Sequence, residues 1–102
     1  KKIGATSKAV QQRFGVSQPD FGFLTDAMQV EAAGTIGIAA SLIQPMVEGE
    51  LGFVLKRDLA GPGVTASEVL MATECIVPCL EIVDSRIADW NIAYEDTVAD
   101  NA

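Results

Sequence analysis

The sequence predicts a small domain of the α+β class, and three segments support that prediction. Residues 44–55 place apolar side chains at alternate positions, which indicates a β-strand, here called the central strand. Residues 65–75 open with Thr65 and Glu68 at the spacing of a capping box, which indicates a helix. Residues 79–83 form a short apolar run that suits a buried strand. The chain of 102 residues is long enough for one hydrophobic core.

Short elements are predicted before the central strand. Residues 2–6 have the pattern of a short strand, and Ser7 follows in a position to cap a helix over residues 8–14. Gly15 is placed to end that helix, because glycine readily adopts the left-handed conformation of a helix C-terminus. Residues 16–22 contain a Gln-Pro-Asp sequence and are predicted to form a loop.

The other segments combine turns with one more regular element. Residues 25–28 are predicted as one short turn, and residues 29–41 as a hairpin or an irregular crossing rather than a helix. The Gly-Pro-Gly sequence at residues 61–63 signals a turn. Residues 90–94 place Trp, Ile and Tyr at alternate positions and are predicted to form a further strand. Without a visible repeat or linker, residues 1–102 are expected to form a single domain.

Composition limits the classes of partner. The formal net charge is −7, with 14 acidic and 7 basic residues and no basic run, which argues against a nucleic-acid or anionic-membrane surface. Apolar stretches are too short to span a membrane, and no signal-peptide pattern is visible. A cytoplasmic protein is therefore expected.

The cysteines and the absence of histidine restrict the chemistry. Cys75 and Cys79 are four residues apart, which is not the Cys-x-x-Cys spacing, and we expect buried free thiols. With 0 histidines, catalysis by a Ser-His-Asp or Cys-His arrangement within this chain is excluded. Carboxylates remain as the natural metal ligands, and they favour magnesium, manganese or calcium over zinc.

Acidic residues on two predicted strands point to a cation site. Strand periodicity places Glu48 and Glu50 on one face of the central strand, with Gly52 next along it and free of side-chain bulk. Glu81 lies within the second apolar run, where a charged residue needs a partner. If the two strands are neighbours, three carboxylates meet and favour a divalent cation. The alternatives are a solvated acidic face, and a Glu81 that pairs with Arg86 or faces water.

Further charged residues are candidates for proton transfer or for structural roles. Lys2 begins a predicted strand and can serve as an acid, a base or an electrostatic clamp, or simply be solvated. Asp20 lies in a Pro-Asp-Phe-Gly loop, where an aspartate commonly bonds its own backbone. Asp84 is predicted to face away from Glu81 and to orient Arg86 or a loop backbone.

Several segments resemble the 2-hydroxypenta-2,4-dienoate hydratases (2-oxopent-4-enoate hydratases) of bacterial aromatic hydrocarbon catabolism by meta-cleavage. The segments agree in order and spacing and run nearly from end to end: residues 2–11, 15–22, 24–28, 42–50, 61–65, 81–87 and 96–102. The resemblance implies the fumarylacetoacetate-hydrolase-like superfamily, whose core is a curled mixed β-sheet with flanking helices. Members are considerably longer, so the chain is expected to be a fragment of a larger catalytic domain.

The resemblance also implies a site and a reaction. The metal motif of the family, Glu-x-Glu followed by a later Glu, falls on Glu48, Glu50 and Glu81 as ligands of Mg²⁺ or Mn²⁺. Its active-site lysine and aspartate fall on Lys2 and Asp20. The implied enzyme is a lyase that adds water to a small 2-hydroxydienoate, with the metal stabilising a developing enolate and these two residues moving protons.

Other functions fit part of the same pattern. The related 4-oxalocrotonate decarboxylase shares the metal triad and a similar Val-Ala-Asp-Asn-Ala sequence, although residues 18–21 are more similar to the hydratases. A non-catalytic fragment or assembly module would keep the fold without the activity. The resemblance further implies a homo-oligomer, and it allows a complex with 4-oxalocrotonate decarboxylase, which works beside the hydratase.

Overall fold

The structure, a computed structural model, describes the backbone of residues 1–102 and every side chain except those of Ala39 and Ala40. It contains two units, one formed by residues 1–46 with 83–102 and the other by residues 47–82. The elements in chain order are β1 (Lys2–Gly4), α1 (Lys8–Phe14), β2 (Asp20–Gly22), a 3₁₀ turn (Asp26–Met28), α2 (Ile38–Ser41), β3 (Met46–Leu55), α3 (Ala66–Ala72), β4 (Thr73–Val83), a 3₁₀ turn (Ala88–Trp90) and α4 (Tyr94–Asp100).

The first unit contains the β1–β2 hairpin, whose strands are antiparallel. The connection between them holds α1, and both predicted ends of that helix are confirmed. The Ser7 hydroxyl accepts a hydrogen bond of 3.2 Å from the Val10 N–H, and Gly15 ends the helix with a φ of 67°. Gln11 is buried, and its amide donates to the Ala5 carbonyl at 2.9 Å, which ties the helix to the end of β1.

Residues 90–94 do not form the predicted strand. The Trp90 indole N–H donates to the Gln44 carbonyl at 2.9 Å, and a helix begins at Tyr94. The Asp96 carboxylate accepts from the Ala93 N–H at 2.8 Å and so satisfies a backbone donor at the start of α4. Alternating side chains predicted a strand here, but acidic residues at a helix N-terminus are the stronger local signal.

The second unit is built on β3 and β4, which are hydrogen-bonded neighbours with α3 between them in sequence. The Lys56 N–H donates to the Ala72 carbonyl at 2.8 Å, so the end of β3 meets the start of β4 and the strands run antiparallel. The capping box is confirmed, since the Thr65 N–H donates to Glu68 at 2.8 Å and the Glu68 N–H donates to Thr65 at 3.2 Å.

The helix that follows the capping box ends earlier than predicted, at Ala72 rather than near Cys75. Residues from Thr73 onward form β4, which is therefore longer than the predicted apolar run of residues 79–83. β-Branched residues and Pro78 in this segment disfavour helix, and pairing with β3 satisfies the backbone groups that a longer helix would otherwise bond.

The prediction of a buried strand at residues 79–83 is confirmed at Val83 and is wrong at Cys79 and Leu80, which are exposed. Ala72 and Val83 are the buried hydrophobic residues among those whose side chains the structure describes. Leu51 on β3 is 66% exposed and Leu80 on β4 is 73% exposed. Cys75 and Cys79 are free and exposed rather than buried. Strand periodicity predicted which side chains share a face, but whether that face is covered depends on other segments.

Candidate active site

Three carboxylates from the two long strands come together in the second unit. Glu48 and Glu50 lie on β3, and Glu81 lies on β4. Each offers one carboxylate oxygen, and these oxygens lie within 4.8 Å of one another. Glu48 and Glu50 are exposed and Glu81 is half-buried. The antiparallel pairing of β3 with β4 is what brings Glu81 beside a pair that is more than thirty residues away in sequence.

The spacing of these oxygens suits a hard divalent cation. For three atoms that are at most 4.8 Å apart there is a point within about 2.8 Å of all of them, whereas Ca²⁺–O distances are about 2.3–2.6 Å and Mg²⁺–O distances about 2.0–2.1 Å. Movements below about 1 Å by flexible glutamate side chains would close that difference. An all-oxygen, acidic donor set favours magnesium, calcium or manganese.

Side chains of β4 fill the space beside Gly52, which adds no side-chain bulk of its own. A Cβ at this position would lie 3.2 Å from Val77 Cγ2 and 3.4 Å from Cys79 Sγ. The space above Gly52 is therefore taken by side chains of β4 rather than left open. The glycine lets β4 pack closely against β3 on the face that carries Glu48 and Glu50.

The first unit carries Lys2 and Asp20 on one face of the β1–β2 hairpin. Lys2 is opposite Gly22 in the register and Gly4 is opposite Asp20, so all four residues share that face. A Cβ on Gly22 would lie 2.7 Å from Lys2 Cε, and a Cβ on Gly4 would contact the Asp20 carboxylate. The Lys2 side chain thus lies in the space left by Gly22, and the Asp20 side chain lies in the space left by Gly4. The Lys2 ammonium also donates to the Ala102 carbonyl.

Asp20 opens strand β2 instead of lying in the predicted loop. Its Oδ2 is 2.8 Å from the Thr97 hydroxyl of α4, so the carboxylate is held by a helix 77 residues away in sequence. Reasoning from the residues missed Thr97. The only sign of it in the sequence is its place in the segment 96–102 that resembles the hydratases.

Asp84 orients a loop backbone, as predicted. Its carboxylate accepts from the Ile43 N–H at 2.9 Å and from the Gln44 N–H at 2.7 Å. These two backbone hydrogen bonds, Ile43 first, lower the pKa of Asp84 below its ordinary value. The bonds join the segment before β3 to the segment after β4, at the ends of the two strands that carry the glutamates.

A second ionic cluster joins α4 to the segment after β4. Asp100 accepts from the Ser85 hydroxyl at 2.8 Å and from the Arg86 N–H at 3.0 Å, and its Oδ1 is 2.6 Å from Arg86 Nε. Burial raises the pKa of Asp100, but the hydrogen bonds from Ser85 and Arg86 and the charge of Arg86 together hold it below its ordinary value. The cluster stabilises the end of α4 near Asn101.

Known proteins are similar to this chain over its whole length. A 2-hydroxypent-2,4-dienoate hydratase of Pseudomonas putida is 63% identical over 102 residues, which are 100% of this chain and 46% of that protein. A 2-hydroxyhexa-2,4-dienoate hydratase of Comamonas testosteroni is 62% identical, with 39% of its length covered. A 2-keto-4-pentenoate hydratase of Paraburkholderia xenovorans strain LB400 is 58% identical, with 38% covered. The chain spans less than half the length of these relatives, and its predicted resemblance to hydratases is confirmed.

The fold is similar to a solved structure as well. The 4-oxalocrotonate decarboxylase from Pseudomonas putida G7, complexed with magnesium and adipate, matches with a TM-score of 0.86 and 35% identity. The match covers 97% of this chain and 37% of that protein. It confirms the predicted α+β class and the fumarylacetoacetate-hydrolase-like superfamily. No family model matches the chain. Within the part of the structure that is described, no helix has the length and apolar character needed to cross a membrane.

Proposed function

We infer that this chain, which belongs with the 2-hydroxypentadienoate hydratases by its sequence, is part of an enzyme that adds water to 2-hydroxypenta-2,4-dienoate and forms 4-hydroxy-2-oxopentanoate. The observation that carries the proposal is the meeting of Glu48, Glu50 and Glu81, whose ligand oxygens lie within 4.8 Å of one another. The 63% identity to a hydratase along the whole chain supports the choice of reaction.

Glu48, Glu50 and Glu81 would hold one divalent cation. Magnesium is the first choice, because the structurally similar decarboxylase is complexed with magnesium, and manganese is the alternative. When bound, the ion would polarise the 2-oxygen and carboxylate of the substrate and stabilise the negative charge that develops there. Removal of the metal with a chelator should therefore abolish turnover and lower the unfolding midpoint, because a cation bound only by the folded protein stabilises it.

Lys2 and Asp20 are proposed as the proton-transfer residues. The net reaction forms a C–O bond at C4 and a C–H bond at C5, while the 2-hydroxyl loses its proton and C3 gains one. Two side chains that exchange protons meet that need, and Lys2 and Asp20 share one face of the hairpin. Replacing either by Ala should lower kcat more than it weakens metal binding, because proton transfer typically contributes about 10²–10⁴-fold to rate.

Decarboxylation of 4-oxalocrotonate is the second candidate, supported by the structural match. A decarboxylase must hold a second carboxylate at the far end of its substrate. Two of the basic residues already have partners within this chain: Arg86 is paired with Asp100, and Lys8 on α1 donates to Gln11 at 3.3 Å. Neither is an obvious clamp for a second carboxylate. The sequence identity also favours the hydratase, at 63% against 35% for the decarboxylase.

The deciding experiment uses a full-length protein that carries this segment, supplied with Mg²⁺ or Mn²⁺. It is incubated separately with 2-hydroxypenta-2,4-dienoate and with 4-oxalocrotonate, and the dienol absorbance, the product mass and the released CO₂ are followed. We expect hydration of the dienoate and little CO₂. Release of CO₂ from oxalocrotonate without hydration of the dienoate would assign the protein to the decarboxylases. Metal binding without either reaction would identify a non-catalytic module.

Assembly and location are further parts of the proposal. A homo-oligomer and a complex with 4-oxalocrotonate decarboxylase stay predictions that follow from the resemblance, and a cytoplasmic location stays a prediction that follows from the sequence pattern. Light scattering of the full-length protein, alone and mixed with the decarboxylase, would test the first two.

A further inference from the structure

Side chains of α4 and its C-cap bond to the segment that carries Asp20. They are Tyr94 and Thr97, which are three residues apart on one face of α4, and Asn101, which caps the helix in the left-handed conformation. The Tyr94 hydroxyl donates to the Pro19 carbonyl at 3.0 Å. The Asn101 amide bonds the Phe23 backbone twice, accepting at 2.8 Å and donating at 3.0 Å. These contacts reach backbone groups before and after β2 and do not touch the Asp20 carboxyl.

Thr97 differs from Tyr94 and Asn101, because its hydroxyl contacts the Asp20 side chain as well as a backbone carbonyl. Its hydroxyl is 2.8 Å from Asp20 Oδ2 and 2.7 Å from the Tyr94 carbonyl. A hydroxyl has one proton to donate and lone pairs with which to accept. It can therefore donate fully to only one of these two oxygens at a time.

We propose that Thr97 is a positioning residue that keeps the Asp20 carboxyl in one orientation in both of its protonation states. When Asp20 is ionised, the Thr97 hydroxyl donates to Oδ2. When Asp20 has taken a proton from the substrate or water at Oδ1, Oδ2 is the carbonyl oxygen of the acid and still accepts from the Thr97 hydroxyl. Thr97 keeps its own proton throughout, so only Asp20 and its reaction partner exchange one.

This inference rests on the proposed role of Asp20 in hydration. A fixed orientation of the Asp20 carboxyl helps such a reaction, because a group that both donates and accepts protons must keep its position between the two steps. Without this hydroxyl, the half-buried Asp20 carboxyl would lose a side-chain hydrogen bond that restrains its rotation. Thr97 is thereby the residue that holds the proposed acid and base of the hydration reaction in place.

The test uses the full-length protein and three single variants assayed for hydration of 2-hydroxypenta-2,4-dienoate. Thr97→Val keeps the shape and removes the hydroxyl, and we expect kcat to fall about 10- to 100-fold with KM changed less than about threefold. Thr97→Ser keeps the hydroxyl and should stay within about threefold of wild type. Tyr94→Phe removes a hydrogen bond from the same helix face without touching the carboxyl, and kcat should change little.

A double-mutant cycle separates positioning from general stability. In an Asp20→Asn background, Thr97→Val should add no further loss of kcat, because the amide no longer transfers protons. Losses that multiply in the double variant, or an equal loss from Tyr94→Phe, would overturn the inference. An unchanged kcat in Thr97→Val, with wild type active and Asp20→Asn impaired, would overturn it and leave the hydratase assignment standing. A wild-type protein that does not hydrate the dienoate would overturn both.

Discussion

Replacing Glu48 by glutamine tests the metal site most directly. The change keeps the size of the side chain and one oxygen but removes one of the three negative charges. A dication at the centre of the triad would lie within about 2.8 Å of each oxygen, and in water its attraction to one carboxylate at that distance is about 3 kcal/mol. That energy corresponds to roughly a hundredfold change in Kd, and the amide oxygen retained by glutamine reduces the expected loss to about 10- to 100-fold.

Isothermal titration of Mn²⁺ into the full-length protein measures this change. Glu74→Gln is the matched control. Glu74 lies on β4 at a position of opposite parity to Glu81, so this substitution removes one negative charge from the other face of the same strand. We expect Glu74→Gln to bind Mn²⁺ within about twofold of wild type, since exposed charges away from the ligand oxygens are screened by water.

Two results would refute the reasoning about the triad. Mn²⁺ binding in Glu48→Gln that equals wild type would show that Glu48 is not a ligand. An equal loss in Glu48→Gln and Glu74→Gln would show that net charge, and not the geometry of the triad, attracts the ion. Thermal unfolding without metal, measured for both variants, confirms that any difference in affinity does not come from a difference in folding.

Two further predictions concern the first unit. Gly22→Ala places a Cβ 2.7 Å from both Lys2 Cε and Asn101 Oδ1, so it disturbs Lys2 and the Asn101 bonds to Phe23 together, and kcat for hydration should fall at least tenfold while Mn²⁺ affinity is kept. Gly37→Ala, whose Cβ meets nothing within 4 Å, is the control, and equal activities of the two variants would contradict a role of this face of the hairpin in proton transfer. The pKa of Asp100 is lowered in the folded protein, so its stabilising contribution is present above the unfolded value of about 3.9 and is lost as pH falls through the folded value. The urea concentration at the unfolding midpoint should therefore decrease as the pH falls below about 4, and it should decrease less steeply in Asp100→Asn. Identical pH dependence in the two proteins would show that Asp100 does not contribute.

Much of the local structure follows from the sequence alone. The Ser7 and Gly15 caps of α1 and the capping box of α3 appear where residue type and spacing predicted them. Each depends on side chains and backbone groups within a few residues of one another, and the same holds for the strand parity that placed Glu48 and Glu50 together. Short-range geometry of this kind leaves the chain few alternatives.

Features that depend on distant segments were decided by the tertiary structure. β4 begins at Thr73, earlier than its apolar run, because pairing with β3 satisfies backbone groups that helix α3 would otherwise have bonded. The partner of Asp20 is Thr97, and no local pattern around either residue identifies a hydrogen bond across 77 positions. Burial follows the same rule: periodicity assigns side chains to a face, and only the packing of other segments decides whether water reaches it.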